Sequence, residues 1–405
     1  MSLFCRLSYP SSRKNRGNST GARYAPRQRG WLSSDAIGFR IGLFVLAGLL
    51  ASACSSGDVG NEPGIDSVPQ IELVEAFRLG EETGPDSVLF GYVSDLAINS
   101  AGQIFVSEGQ DPKIYVYSNA GAFITTIGSK GKGPGEFSYG PDITISRGDS
   151  IFTLDGQRIA VFQPGDFRLV HTVPIVTEGF EYPMDIVGVA DEEVLVLFGT
   201  GLGVNPTTED RRTVLRLLNY QGNVIRDSVV VVAANEALVL RKPGFVSVRS
   251  MPFGRTSAVH LGPDGYLYHG WTESIDITIS DLYGATHDSI RYQAPVMPVT
   301  GQAVSRTLEN LSEDMQKVFM QNLHDTRPAY GLFVVGDQAR TWIKLTKPEG
   351  SPTAQWLIFG ADRRLAASVD LPASVSLSVI TSGRAYGTHV DDIGITTVVA
   401  YNIVE

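Results

Sequence analysis

Three successive stretches of this chain open on the same pattern, Tyr92-x-x-Asp95, Tyr139-x-x-Asp142 and Tyr182-x-x-Asp185, spaced 47 and then 43 positions apart. Carboxylates repeated at one structural position can do chemistry together if the fold brings the repeats side by side. Hard oxygen donors of that kind suit calcium, and their charge equally suits a basic group on a ligand. The plainer reading is that each aspartate accepts hydrogen bonds from its own turn, as short acids at strand starts do. Tyr92, Tyr139 and Tyr182 would form an aromatic rim for sugars or peptides, or pack between repeats. Arg255 and Arg327 fall near the starts of two later stretches. Together these eight residues form a candidate ligand site, acidic on one side and basic on the other, suited to a polar or zwitterionic ligand.

Other chemistry finds little support. The six histidines, His171, His260, His269, His287, His324 and His389, show no metal-ligand spacing. No Gly-x-Ser-x-Gly elbow, His-Glu-x-x-His pair or phosphate loop is present. Gly128-Ser-Lys-Gly-Lys-Gly-Pro-Gly135 is rich in glycine, but it joins two strands, whereas a phosphate loop leads from a strand into a helix. No catalytic residue is assigned, and no cofactor is called for beyond the calcium option.

The elements that must position the aspartates are short strands. Asp95-Leu-Ala-Ile98, Ile104-Phe-Val106 and Ile114-Tyr-Val-Tyr117 return as Asp142-Ile-Thr-Ile145, Ile151-Phe-Thr153 and Ile159-Ala-Val-Phe162. A 40- to 50-residue repeat of alternating strands and glycine-rich turns marks a β-propeller, one blade per copy. Looser copies start near Phe253, Tyr330 and Val375, the positions matching the aspartates being Thr256, Tyr330 and Ser376. The last copy has three strands, and Ile71-Glu-Leu-Val-Glu-Ala-Phe77 supplies the fourth, closing the ring without a free edge. The expected fold is therefore all-β: a six-bladed propeller over residues 68–405, closed by an N-terminal strand. One segment departs from the pattern. Residues 302–323 place Val304, Leu308, Leu311, Met315, Val318, Phe319 and Leu323 at helical spacing, predicting a helical insertion between blades four and five, as one helix or as two with Ser312 capping the second.

Charge and cysteines bound the setting. The chain carries −10 overall, but residues 1–40 hold eight basic residues against one acid, leaving −17 for the remainder. A body this acidic excludes phosphate-backbone binding, so nucleic acid is not an expected partner. After the basic stretch comes Ile41-Gly-Leu-Phe-Val-Leu-Ala-Gly-Leu-Leu-Ala-Ser-Ala53, too short to span a bilayer and built like a secretory signal. Cys54 follows directly, and Cys5 is the chain's other cysteine, so no disulfide framework or cysteine-based zinc site is available beyond the leader. Ala51-Ser-Ala-Cys54 resembles a bacterial lipobox, which implies lipidation at Cys54 after removal of residues 1–53. Ala51 stands where the usual leucine would, three positions before the cysteine, and Leu50 lies one position earlier. Residues 54–67 are polar and glycine-rich, the composition of a flexible tether.

Residues 128–162 resemble the NHL-type repeat, above all in Glu136-Phe137, Pro141-Asp142-Ile143 and Ile151-Phe-Thr-Leu-Asp-Gly-Gln-Arg-Ile-Ala-Val-Phe162. The body as a whole resembles bacterial six-bladed β-propeller lipoproteins of the TolB-like class. That resemblance implies an extracytoplasmic protein lipid-anchored to a cell-envelope membrane. Because channel mouths hold most sites of propeller folds, the expected role is a membrane-tethered binding or scaffold protein that holds a peptide, glycan or protein there. Some relatives of the fold are lyases or lactonases using a His/Glu pair or a channel metal, which gives the alternative, a lyase or hydrolase with channel-bound calcium. None of their catalytic sets matches residues of this chain.

Overall fold

The computed structural model describes residues 64–81, 88–177, 179, 181–190, 193–200, 211–242, 245–381 and 383–404. The leader and Cys54 lie outside the described residues. The middle strands are apolar on both faces, which suits strands sandwiched between neighbouring sheets. Ile104–Glu108, for example, is buried at every position. The strands form six four-stranded antiparallel sheets. Blade one is Val93–Ile98, Ile104–Glu108, Lys113–Tyr117 and Phe123–Ile127. Blade two is Asp142–Ile145, Ile151–Asp155, Arg158–Phe162 and Leu169–Pro174. Blade three is Glu181–Ala190, Glu193–Thr200, Arg212–Asn219 and Val224–Ala233. Blade four is Ser257–Leu261, Leu267–Trp271, Ile275–Ser280 and Thr286–Tyr292. Blade five is Tyr330–Val335, Thr341–Leu345, Thr353–Phe359 and Leu365–Pro372.

Blade six takes Val375–Ile380, Arg384–Val390 and Thr396–Val404 from the C-terminal end and Glu72–Leu79 from the N-terminal end. The closing pair is antiparallel, from Glu72 opposite Val404 to Leu79 opposite Val398, with one bulge between Glu75 and Phe77. The innermost strands touch in the order one to six and back to one. The protein is a six-bladed β-propeller.

The core lies between blades rather than in one centre. Phe105, Ile114 and Val116 of blade one pack with Ile143, Ile151 and Phe162 of blade two. Phe152, Leu154 and Ile159 pack in turn with Ile186, Val194 and Phe198 of blade three. Burial of each such side chain stabilises by about 1.5–3 kcal/mol, so every blade depends on its neighbours.

Every inner strand starts on the same side of the ring. Connections into inner strands and turns from second to third strands therefore share one face, the entry face. Turns of the opposite face are closed by their own side chains: Asn99 Oδ1 accepts from the N–H groups of Ala101 and Gln103 at 3.1 and 2.8 Å, and Asp281 Oδ1 from those of Tyr283 and Ala285 at 2.8 and 2.9 Å.

Two insertions stand on the entry-face connections. A hairpin, Ala237–Lys242 with Phe245–Ser250, links blades three and four. Helices α1 (Gly301–Leu308) and α2 (Glu313–Met320) link blades four and five. The helical spacing thus resolves into two helices, with Ser312 at the N-cap position of α2, while Thr300 Oγ1 caps α1 by accepting from Ala303 N–H at 3.1 Å. Leu238 of the hairpin, Leu308 of α1 and Phe319 of α2 share one small apolar cluster. The hairpin has no counterpart in the repeat, and the sequence pattern did not announce it.

Candidate functional site

Asp95, Asp142 and Asp185 sit near the entry-face ends of the inner strands of blades one, two and three. They pair with Ser107, Leu154 and Leu197 on the neighbouring strands. Bulges directly before Asp95 and Asp185 turn those residues relative to the pleat. Counted from the hairpin turns, the matching positions on the other blades are Ala258 opposite Gly270, Leu332 opposite Lys344 and Ser376 opposite Thr388. The pairing register therefore replaces Thr256 by Ala258 and Tyr330 by Leu332, and keeps Ser376. Tyr330 instead lies before a bulge and is fully buried.

The three carboxyls differ in their partners. Asp95 accepts from its own neighbour Leu96 N–H at 2.8 Å and, across the blade boundary, from Ile143 N–H at 2.6 Å. It caps its own strand's backbone and clasps blades one and two. Desolvation nevertheless dominates and pushes it up to about 7. Asp185 accepts from Ile186 N–H and is pushed up to about 6, again by burial first. It is open to solvent and still strongly desolvated, the combination expected of a side chain inside a channel mouth. Asp142 has no hydrogen-bond donor among the described residues. Burial, and then the charges of Asp185 and Asp95, push it up to about 8. Desolvated carboxyls that also feel one another's charge retain protons near neutrality that isolated aspartates would lose.

Tyr92, Tyr139 and Tyr182 are all exposed, at 53%, 68% and 42%. They rim the entry face rather than packing between blades. A Cβ on Gly109 would strike the Tyr92 ring at 2.7 Å, and one on Gly199 the Tyr182 ring at 2.8 Å, so both rings rest on glycine backbone of their own blades. The backbone under this rim is held by two buried acids. Glu108 accepts from the N–H groups of Gly91 and Tyr92 at 2.9 and 3.2 Å. Asp155 accepts from those of Ser138 and Tyr139 at 2.9 and 3.1 Å. Glu108 and Asp155 are themselves 47 positions apart, a repeat signal that reading the apolar strands alone passes over.

Arg255 and Arg327 are engaged elsewhere. Arg255 is buried, donating to Thr326 O and Oγ1 at 3.0 and 2.9 Å. Arg327 lies over the Phe253 ring at 5.1 Å and near Glu349 at 3.7 Å. Neither is among the groups that act on the three aspartates, whose shifts come from burial, backbone N–H groups and one another. The glycine-rich loop at 128–135 also turns its polar groups inward: Arg158 donates to the carbonyls of Lys132 and Gly133 at 3.0 and 2.9 Å, and Glu136 Oε2 takes Gly133 N–H at 2.7 Å.

His324 Nε2 meets Glu236 Oε2 at 2.8 Å, joining the helical insertion to the hairpin. The partners are 88 positions apart, a distance no local motif bridges. Lys344, on the second strand of blade five, reaches Val375 O and Ser376 Oγ at 2.6 and 3.1 Å, and burial lowers its affinity for a proton. Among the described residues no three His, Cys, Asp or Glu side chains stand close enough to hold a metal ion. Two concavities of about 220 and 280 Å³ lie at blades five and six and beside the helical insertion, away from the trio.

Comparison with known proteins bears on the fold. A family model described as "6-bladed beta-propeller" matches residues 81–182, the stretch that carries blades one and two and ends at Tyr182. No curated protein matches the chain. A solved member of the duf4221 family from Bacteroides vulgatus is 10% identical, covering 82% of this chain and 98% of its own, with a TM-score of 0.50. Virginiamycin B lyase from Staphylococcus aureus, in a catalytically inactive form, is 10% identical over 82% of this chain and 99% of its own, with a TM-score of 0.42. Regucalcin from Agrobacterium tumefaciens, a calcium-binding protein, gives 10%, 82%, 95% and 0.43 in the same order. At 10% identity the likeness to the duf4221 structure is one of fold alone, and no site residue passes from any of these proteins to this one.

Proposed function

We propose that this propeller is a binding or scaffold protein that takes a peptide, glycan or protein ligand at the entry-face mouth of its channel. The observation that carries this reading is Asp142: a largely desolvated carboxyl without a hydrogen-bond donor, set between two more carboxyls and framed by exposed tyrosines. Groups held in so unfavourable a setting are concentrated at functional sites. A thermal-shift screen against peptides, glycans and calcium tests it. A ligand of the native state raises the melting temperature by mass action, and Asp142→Asn should abolish that response. No shift with any of the three classes, or a shift undiminished in Asp142→Asn, overturns the reading.

Calcium held by Asp95, Asp142 and Asp185 is the second reading, with lyase or hydrolase chemistry at the channel. The mutual repulsion of three carboxyls on one half of the ring, which a cation would relieve, favours it; calcium would have to draw them closer together than they stand in this structure. A response to calcium alone, lost in Asp142→Asn, would select it over the first. The protein's address is proposed to be extracytoplasmic, on a lipid carried by Cys54. Cys54→Ala should move the protein from the membrane to the soluble fraction on fractionation; retention on the membrane would refute the anchor.

A further inference from the structure

We infer that the entry face over blades six, one, two and three docks a protein segment presenting a Lys or Arg side chain between apolar neighbours. This rests on the channel-mouth binding reading and specifies its partner. The face carries an arc of exposed apolar residues: Ile393 at 81%, Leu89 at 52%, and the three tyrosines, with Met184 beside Tyr182. The arc is continuous. An antiparallel bridge between Phe90 and Thr396 sets Gly91, the residue before Tyr92, alongside Ile395 at the boundary of blades six and one. Gly140 lies against Gly109 and Ser94, bringing the Tyr139 turn onto the Tyr92 turn at the boundary of blades one and two.

The opposite face differs. Among the described residues its exposed apolar side chains, Phe123, Ile124, Val170, Val224 and Ile225, start the outermost strands of their blades instead of surrounding the channel, and Arg226 covers the ring of Tyr283 in a turn at 4.7 Å. Apolar side chains gathered around a channel mouth and kept from water by nothing else mark an interaction surface. Charge identifies what belongs there. The arc frames the half of the ring that carries Asp95, Asp142 and Asp185, while Ala258, Leu332 and Ser376 occupy the other half. Asp391 and Asp392 adjoin Ile393. Lys130 and Lys132, exposed on the loop after blade one, are cations of the same face, so the acidic character is concentrated at the channel mouth. A basic side chain entering there meets Asp142, which has no donor of its own. Its apolar neighbours meanwhile cover the tyrosines and Ile393. An arriving cation draws the retained protons off these carboxyls, so complementarity forms on binding; it sets specificity and register, and the apolar contacts supply affinity.

The test is fluorescence anisotropy with labelled pentapeptides whose central residue is Lys, Arg, Met or Glu, flanked by Leu and Phe or by Ser. The intact protein is used, alongside a glycan array. Lys and Arg peptides with apolar flanks should bind at least tenfold more tightly than Met or Glu peptides. Asp142→Asn and Asp185→Asn should each remove most of that preference. Tyr139→Ser with Ile393→Ser should weaken apolar-flanked peptides several-fold and leave Ser-flanked ones unchanged, with thermal unfolding confirming that each variant is folded. Equal binding of Glu and Lys peptides, or insensitivity to both aspartate substitutions, overturns the inference. Binding of glycans alone overturns it too and leaves the channel-mouth reading standing; silence from both probes removes both.

Discussion

Replacing Asp142 with asparagine is expected to raise the melting temperature by about 2–6 °C at pH 8 and to leave it nearly unchanged at pH 4, the equivalent of about 1–3 kcal/mol at the higher pH. The sign follows from proton uptake. In the unfolded chain this carboxyl titrates near 3.8, whereas in the folded protein it keeps its proton to about 8. Between those values the native state binds more protons than the unfolded state, so stability falls as pH rises through the window. Below it both states are protonated and the group adds no penalty. Asparagine cannot ionise, so the variant escapes a cost that grows from pH 4 to pH 8 and then levels off. Solvent reaching the channel mouth screens part of that cost, which is why the expected gain is well below a full conversion of the displacement. Paired melting curves of parent and variant across this range check it. An equal gain at both pH values would show that packing, not the buried charge, is responsible. A substitution that stabilises the fold while abolishing ligand response is the behaviour of a residue kept for binding rather than for folding.

The ring was legible in the sequence for a specific reason. Blades one and two repeat at a strict 47-residue interval, and the apolar positions of Ile104-Phe-Val106 and Ile151-Phe-Thr153 are buried in the same way. The closing strand was legible because a three-stranded last blade needs a partner, and residues 71–77 offer a largely apolar stretch ahead of blade one. Register faded where the repeats loosen. The inner strand of blade four begins at Ser257, and the bulge at Tyr330 adds a residue that pattern matching does not see, so the repeat pattern points to Thr256 and Tyr330, each two places before the matching residue.

Side-chain partnerships across long separations were invisible for a different reason. His324 with Glu236, Arg255 with Thr326 and Lys344 with Ser376 depend on where insertions and blades come to rest, and no spacing rule encodes that. Asp95, Asp142 and Asp185 were found because symmetry relates them. Glu108 and Asp155 obey the same symmetry, yet they sit at strand ends where a charged residue reads as surface, although both are buried.

The backbone that leads into Asp142 is expected to tolerate no side chain at Gly140, two residues before it. Gly140→Ala should destabilise the protein by about 1–3 kcal/mol, the usual cost of forcing atoms into a filled space. A Cβ there would lie 1.9 Å from Ser94 Oγ, 2.7 Å from Gly109 Cα and 3.0 Å from Glu108 O. The serine hydroxyl can rotate away. The other two atoms are backbone of blade one, and Glu108 O cannot retreat without disturbing a carboxylate that holds the amides of Gly91 and Tyr92. Relief must therefore come from separating blades one and two at the entry face. That motion also stretches the hydrogen bond from Ile143 N–H to Asp95 and widens the trio. Gly148→Ala is the control: its Cβ would meet only Ser146 Oγ, at 3.9 Å, so chemical denaturation should place it within about 0.5 kcal/mol of the parent. If Gly140→Ala is equally silent, the blades are less tightly joined at the site than this contact requires. If it weakens ligand response more than its loss of stability explains, the spacing of the three carboxyls is itself part of what the ligand recognises.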